Sequence, residues 1–386
     1  MSQLWMSSRR CLLLITLFTL LAAANGAASL TSNSAKSNAH GGSAVRSIDI
    51  FQSDSNLYIA SGGSDATVKT WRLDNIANGP TSSAQLNDEI YNLDAANALD
   101  FPLIVTGEGG WNGGPASNTL RVFSAQDPLP ELAGKVPGGY LYCVAISPAR
   151  NGKVLVASSG YYGKVNIYEL ECSTPSSCTL SDRPTIETRD RRVDAISFIP
   201  GEPLRLARSL EGKIFIYEEK DVTTNVFDQI AALDASGKWD NFMDVSSDGT
   251  LLVSGTDGGI IKLWDISTSP YQLTGEISGM GQVTSVAFSK DGLFIAAGGS
   301  KWINIYDSSN LASGPIVTKT NAHAGRVYSI VFGVAAAGVY PLVSSGGDGS
   351  INVWSFDPDS SGPPPTVLPT VLSTVLPTVP PPPPPP

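Results

Sequence analysis

A chain of 386 residues and 40.4 kDa is long enough for two ordinary domains or one large all-β architecture. Hydrophobic residues make up 42% and charged residues only 16%, with 38 glycines and 27 prolines, which excludes a coiled coil and a charged disordered polymer and favours turn-rich β structure. The formal charge is −10, from 25 basic against 35 acidic residues, and this excludes a partner recognised through its phosphate backbone, so no nucleic acid is expected.

Residues 1–26 are read first. Arg9 and Arg10 precede an uncharged apolar run from Cys11 to Leu21, which gives way to Ala22, Ala23, Ala24, Asn25 and Gly26. Basic, apolar and then small is the order of a secretory signal peptide, and the apolar stretch is shorter than the roughly 20 residues a spanning helix needs. The expectation is cleavage near Gly26, no membrane span afterwards, and passage through an oxidising compartment.

From residue 27 to 358 the chain repeats itself about every 47 residues. The clearest copies are IASGGSDATVKTWRL, LVSGTDGGIIKLWDI and LVSSGGDGSINVWSF. Each is an apolar triplet, a small Ser/Gly turn and an alternating strand closing on tryptophan. Weaker copies put another aromatic at the same point, giving the anchors Trp71, Phe123, Tyr168, Tyr217, Trp264, Tyr306 and Trp354, spaced 42 to 52 residues apart. Upstream of each anchor lies a second alternating strand, beginning at Val45, Ile90, Leu141, Val193, Asp240, Val283 and Val327. Asp248-Gly249 and Asp291-Gly292 are hairpin turns into the next strand. Seven units result, and six or eight follow if unit 4 or the insertion at residues 107–118 of unit 2 is counted differently.

These units resemble the WD40 repeat family of β-propellers, specifically in units 1, 5, 6 and 7 and weakly in 2, 3 and 4. The resemblance implies an all-β, seven-bladed WD40-like β-propeller over residues 27–358. Its ring would be closed by the segment before His40, roughly Ala28 to Asn38, pairing beside the strand of Trp354. The family's internal tetrad maps in full onto His40, Ser61, Asp65 and Trp71, and again onto His323, Ser344, Asp348 and Trp354. Unit 5 keeps Ser254, Asp257 and Trp264 without a histidine, and unit 4 has Glu211 before Tyr217. The family's habit of lining one channel mouth implies a partner-binding face of Arg46, Glu89, Tyr91, Tyr140, Tyr142, Arg192, Asp194, Trp239, Asn241, Gln282, Arg326 and Tyr328. Tyr, Trp and Arg are the types that carry binding energy at protein interfaces, and the three arginines lean toward a carboxylate-bearing peptide.

The chain has two histidines, and both are taken by the tetrads, which leaves none for a histidine-dependent triad or a histidine-rich zinc site. No metal, cofactor or catalytic residue is expected. The remaining enzymatic reading is a glycoside or lactone hydrolase, in which carboxylates from different blades face each other in the channel. Cys172 and Cys178, separated by Ser-Thr-Pro-Ser-Ser, are expected to form a disulfide after export, the alternative being two free loop thiols. Cys143 lies in an apolar run and reads as core.

Residues 359–386 are a different material. Twelve prolines fall there from Pro363 onward, with Pro-Thr-Val-Leu units ahead of a seven-proline run from Pro380 to Pro386. Such a segment builds no core and reads as a disordered, extended polyproline tail. The whole then reads as a secreted, monomeric, non-enzymatic protein-binding scaffold that its tail spaces or anchors in extracellular matrix or cell wall. If the signal is not used, the alternative is a cytoplasmic scaffold whose tail is a ligand for polyproline-binding domains.

Overall fold

The structure, a computed structural model, describes residues 28–109, 118–137, 140–160, 163–187, 192–221, 226–236 and 241–360. The signal segment, most of the unit 2 insertion, Trp239 and the tail from residue 361 lie outside the described residues.

The alternating apolar pattern becomes strands, and the strands form seven four-stranded antiparallel sheets. In six blades the order follows the chain, as in blade 1, where Val45–Ser53, Asn56–Gly63, Thr67–Arg72 and Ser82–Gln85 run from the inside outward. The seventh is mixed. Val327–Phe332, Tyr340–Gly346 and Ile351–Asp357 come from the end of the chain, and its outer strand is the N-terminal segment Ser29–Lys36. Leu30 faces Phe356 and Ser32 faces Trp354, so the two ends of the domain are joined by a strand pairing, as the sequence predicted. This closure protects the edges that an open sheet would leave unpaired.

The anchors point into the sheet-to-sheet interfaces, where Trp71, Phe123 and Tyr306 are almost fully buried. The core is accordingly distributed as separate clusters between neighbouring blades rather than one central mass. Cys143 is buried with blade 4 side chains, and burial pushes its thiol upward from the ordinary range. Cys172 and Cys178 face each other across the outer hairpin of blade 3 and are disulfide-bonded.

The innermost strands of all seven blades surround one channel, and side chains on them stitch blade to blade. The backbone N–H of Ala95 donates to Asp49 Oδ2 at 2.9 Å, that of Ile146 to Asp94 Oδ2 at 2.7 Å and that of Phe288 to Asp244 Oδ2 at 2.7 Å. Asn92 Oδ1 accepts from Val144 N at 2.9 Å, Ser285 Oγ accepts from Ile330 N at 3.0 Å, and Ser329 Oγ donates to Ile48 O at 3.3 Å. At the seams on either side of blade 4, arginines bridge instead. Arg150 of blade 3 binds Glu202 and Glu219 of blade 4, and Arg205 of blade 4 donates to Ile266 O at 2.7 Å and Gly249 O at 3.0 Å of blade 5.

Candidate functional site

Two kinds of polar constellation stand out, and their roles separate by what each touches. The tetrads lie inside blades 1 and 7. In blade 1, Trp71 Nε1 donates to Ser61 Oγ at 2.8 Å, Ser61 Oγ lies 2.9 Å from His40 Nε2, and His40 Nδ1 lies 2.7 Å from Asp65 Oδ1. Blade 7 repeats the chain through Trp354, Ser344, His323 and Asp348 at 2.9, 2.7 and 3.1 Å. Each imidazole is fully buried, and desolvation holds both histidines below their ordinary pKa, so they sit neutral between a hydroxyl and a carboxylate. Burial alone would raise Asp348, but hydrogen bonds from Ser350 and His323 outweigh it and hold its carboxyl at about 2. The backbone must come very close for this. A Cβ on Gly63 would stand 2.7 Å from His40 Nδ1, and one on Gly346 would stand 2.6 Å from His323 Nδ1.

The tetrad is incomplete elsewhere. In blade 5 the hydroxyl of Ser254 is buried without a partner, the consequence of the missing histidine. In blade 4 the serine place is held by Arg208, buried, donating to Tyr217 Oη at 3.0 Å and stacked 4.5 Å from the Phe215 ring. The sequence reading of that unit rested on Glu211 and did not single out Arg208.

The second constellation is the channel, a cavity of about 390 Å³. At one mouth, side chains from blades 1 to 4 form a continuous stack. The Arg46 guanidinium lies 4.5 Å over the Tyr91 ring, Tyr91 meets Tyr142 edge to face at 5.6 Å and 82°, and Arg192 lies 5.3 Å over Tyr142. Asp194 and Tyr328 join the same lining. Arg326 donates to Gln282 Oε1 at 2.7 Å across the seam of blades 6 and 7. Glu89 is 2.7 Å from Arg46, and Asp194 is 2.5 Å from Arg192 Nε. Two of the three arginines expected to attract a partner's carboxylate therefore already carry one. Tyr140 is half-buried directly before the innermost strand of blade 3. Asn241 opens the innermost strand of blade 5, and its side chain, like the whole of Trp239, lies outside the described residues.

The deeper wall holds Asp49, Asp94 and Asp244, with Lys290 beyond them. Desolvation, the neighbouring Asp49 charge and a hydrogen bond to Asp49 raise Asp94 well above the ordinary carboxylate range, and burial raises Asp244. The sequence reading allowed for facing carboxylates in the channel but named none. The signal was there, an aspartate four residues after Val45, Ile90 and Asp240 in three units. Among the described residues no group of three or more metal-ligating side chains could hold an ion.

The family model for the WD domain, G-beta repeat, matches residues 32–72, 235–265, 271–307 and 314–355. Those stretches are the ones in which the unit pattern is strongest, and blades 2, 3 and 4 fall outside them. No curated protein matches the chain. The chain therefore carries WD-domain repeat matches in blades 1, 5, 6 and 7 and folds as a seven-bladed all-β propeller, and the WD40 propeller fold is commonly a protein-binding scaffold.

Proposed function

We propose that the protein is an exported, non-enzymatic binding platform that captures a protein or peptide partner on the Arg46, Tyr91, Tyr142, Arg192 mouth of its channel. The observation that carries this is the cross-blade stack itself. Four large side chains from four blades are held rigid and half-exposed, so a partner would meet aromatic area and hydroxyls that lose little freedom on binding. The order of basic, apolar and small residues in 1–26 supports export on this reading, with the proline-rich tail spacing or anchoring the platform in matrix or cell wall. Intact-mass and N-terminal peptide analysis of protein from cells and from the surrounding medium tests export. A form beginning near Ala27 in the medium supports it, and an unprocessed form confined to cells refutes it. The binding face is tested by photo-crosslinking from the Tyr328 position in the extracellular fraction, with Arg46→Ala and Tyr142→Ala expected to abolish the adduct.

The facing pair of Asp49 and Asp94 favours one second reading, a channel hydrolase in which a raised carboxyl acts as general acid. Against it, Asp49 and Asp94 each accept a backbone N–H of the following blade, a structural employment. Loss of turnover on a glycoside or lactone panel in Asp94→Asn, with the fold intact, is the result that reading requires.

A further inference from the structure

The mouth of the channel and the C-terminal segment are complementary in chemistry and opposite in position. Resting on the reading of the mouth as the partner site, we infer that the mouth of one copy receives the proline-rich segment of a second copy, residues 361–386, in a head-to-tail contact.

Charge is the first argument. Glu89 neutralises Arg46 and Asp194 neutralises Arg192, so two of the three mouth arginines are already compensated, while Arg326 is oriented by the neutral Gln282. What the mouth offers is half-buried aromatic area, from Tyr91, Tyr142 and Tyr328. The segment from 361 to 386 contains no charged residue at all, only Pro, Thr, Val, Leu, Ser and Gly.

Recognition chemistry is the second. Proline-rich chain in the polyproline conformation has no internal hydrogen bonds, so its carbonyls seek outside donors while its rings pack on aromatics. The order of the proline run is largely prepaid, since each proline fixes φ, and little entropy is lost on docking. The tyrosine pair, clamped between two guanidinium planes, is equally preorganised.

Position is the third. In blade 7 the innermost strand starts at Val327 beside the mouth residue Tyr328, where Val327 pairs with Gly346. The last strand runs away from that level, and its residue Phe356 pairs with Tyr340 at the far end. The last strand thus ends toward the face opposite the mouth. In a polyproline conformation the 26 residues 361–386 extend up to about 80 Å at roughly 3.1 Å per residue. A segment that follows from that end reaches the mouth of a next copy without having to cross the thickness of its own propeller. Such a contact is heterologous and propagates, giving chains of propellers. Each copy closes its own ring with Ser29–Lys36, so association exchanges no strand and is reversible.

The test uses the full chain in sedimentation velocity over a wide concentration range, alongside fluorescence anisotropy with a labelled synthetic peptide of residues 361–386. The expected result is a mass that rises with concentration, falls back to monomer when the free peptide is added, and a peptide affinity at least about tenfold weaker in Tyr91→Ala/Tyr142→Ala, which is about 1.4 kcal/mol. Leu293→Ala, an exposed site away from the mouth, should leave both readouts unchanged, and circular dichroism melting checks that the tyrosine variant is folded. A monomer at every concentration with no peptide binding up to about 1 mM overturns the inference. Protection of the tail from protease that is independent of concentration overturns it too, because the contact is then within one chain. If the peptide fails to bind while Arg46→Ala still abolishes the Tyr328 crosslink to another protein, the head-to-tail contact falls and the mouth reading stands. If both fail, both fall.

Discussion

Single side chains here are constrained by how many neighbours share them. Ser344 Oγ serves both Trp354 Nε1 and His323 Nε2, so Ser344→Ala orphans the buried indole N–H and leaves His323 Nε2 only its longer contact of 3.4 Å with Asn352 Nδ2. A loss of about 2–4 kcal/mol is expected, read as a lower urea midpoint with an unchanged slope. The histidines add a pH term. Their folded pKa lies below the ordinary 6.5, so the unfolded chain takes up the proton first and stability falls as pH drops below that value. Asp94 has the opposite sign. Its folded pKa is raised, so stability is lost as pH climbs above the ordinary 3.8. Asp94→Asn keeps an oxygen for Ile146 N and supplies a donor to Asp49. It should therefore stabilise the fold at pH 7 and leave it unchanged at pH 4, read as a higher urea midpoint at the first pH only.

At the scale of elements, the blades are held by what their inner strands carry. Aspartates at one register position stitch blades 1 to 2, 2 to 3 and 5 to 6, whereas the seams flanking blade 4 depend on Arg150 and Arg205. A groove of about 560 Å³ lies over the blade 4 to 5 seam, lined by Pro203, Arg205, Ile230 and Tyr271. Arg205→Ala should cost about 1–3 kcal/mol, because two backbone carbonyls of blade 5 lose their donor. Hydrogen exchange should then rise selectively in blades 4 and 5, and a uniform rise across all blades would refute a local seam. These seams were not legible beforehand. Arg150 and Arg205 sit in stretches with no repeat signature, and only the ring brings each to the next blade.

For the molecule as a whole, the closing strand makes the ends of the propeller interdependent although they are more than 300 residues apart. Replacing Leu30 and Thr31 by proline should break the pairing to Phe356 and Ser355, lower the melting temperature and broaden the transition, since repeat arrays lose cooperativity when the end contact goes.

The repeat and the seven aromatic anchors were readable from the chain itself, because each is a local pattern of period two with a fixed spacing to the next copy, whereas the two tetrads and the closing segment came from the resemblance to the WD40 family. The mouth residues were carried over from that same resemblance, one register position at a time. What only the folded ring decided is who meets whom between blades. Arg46 of blade 1 stacks on Tyr91 of blade 2, Tyr91 meets Tyr142 of blade 3, and Glu89 of blade 2 neutralises Arg46. Asp94 meets Asp49 on the wall of a channel that has no counterpart in any single unit. A repeat dictates the shape of its own blade, whereas charge and acidity at the axis arise from side chains some 45 residues or more apart that share one desolvated space.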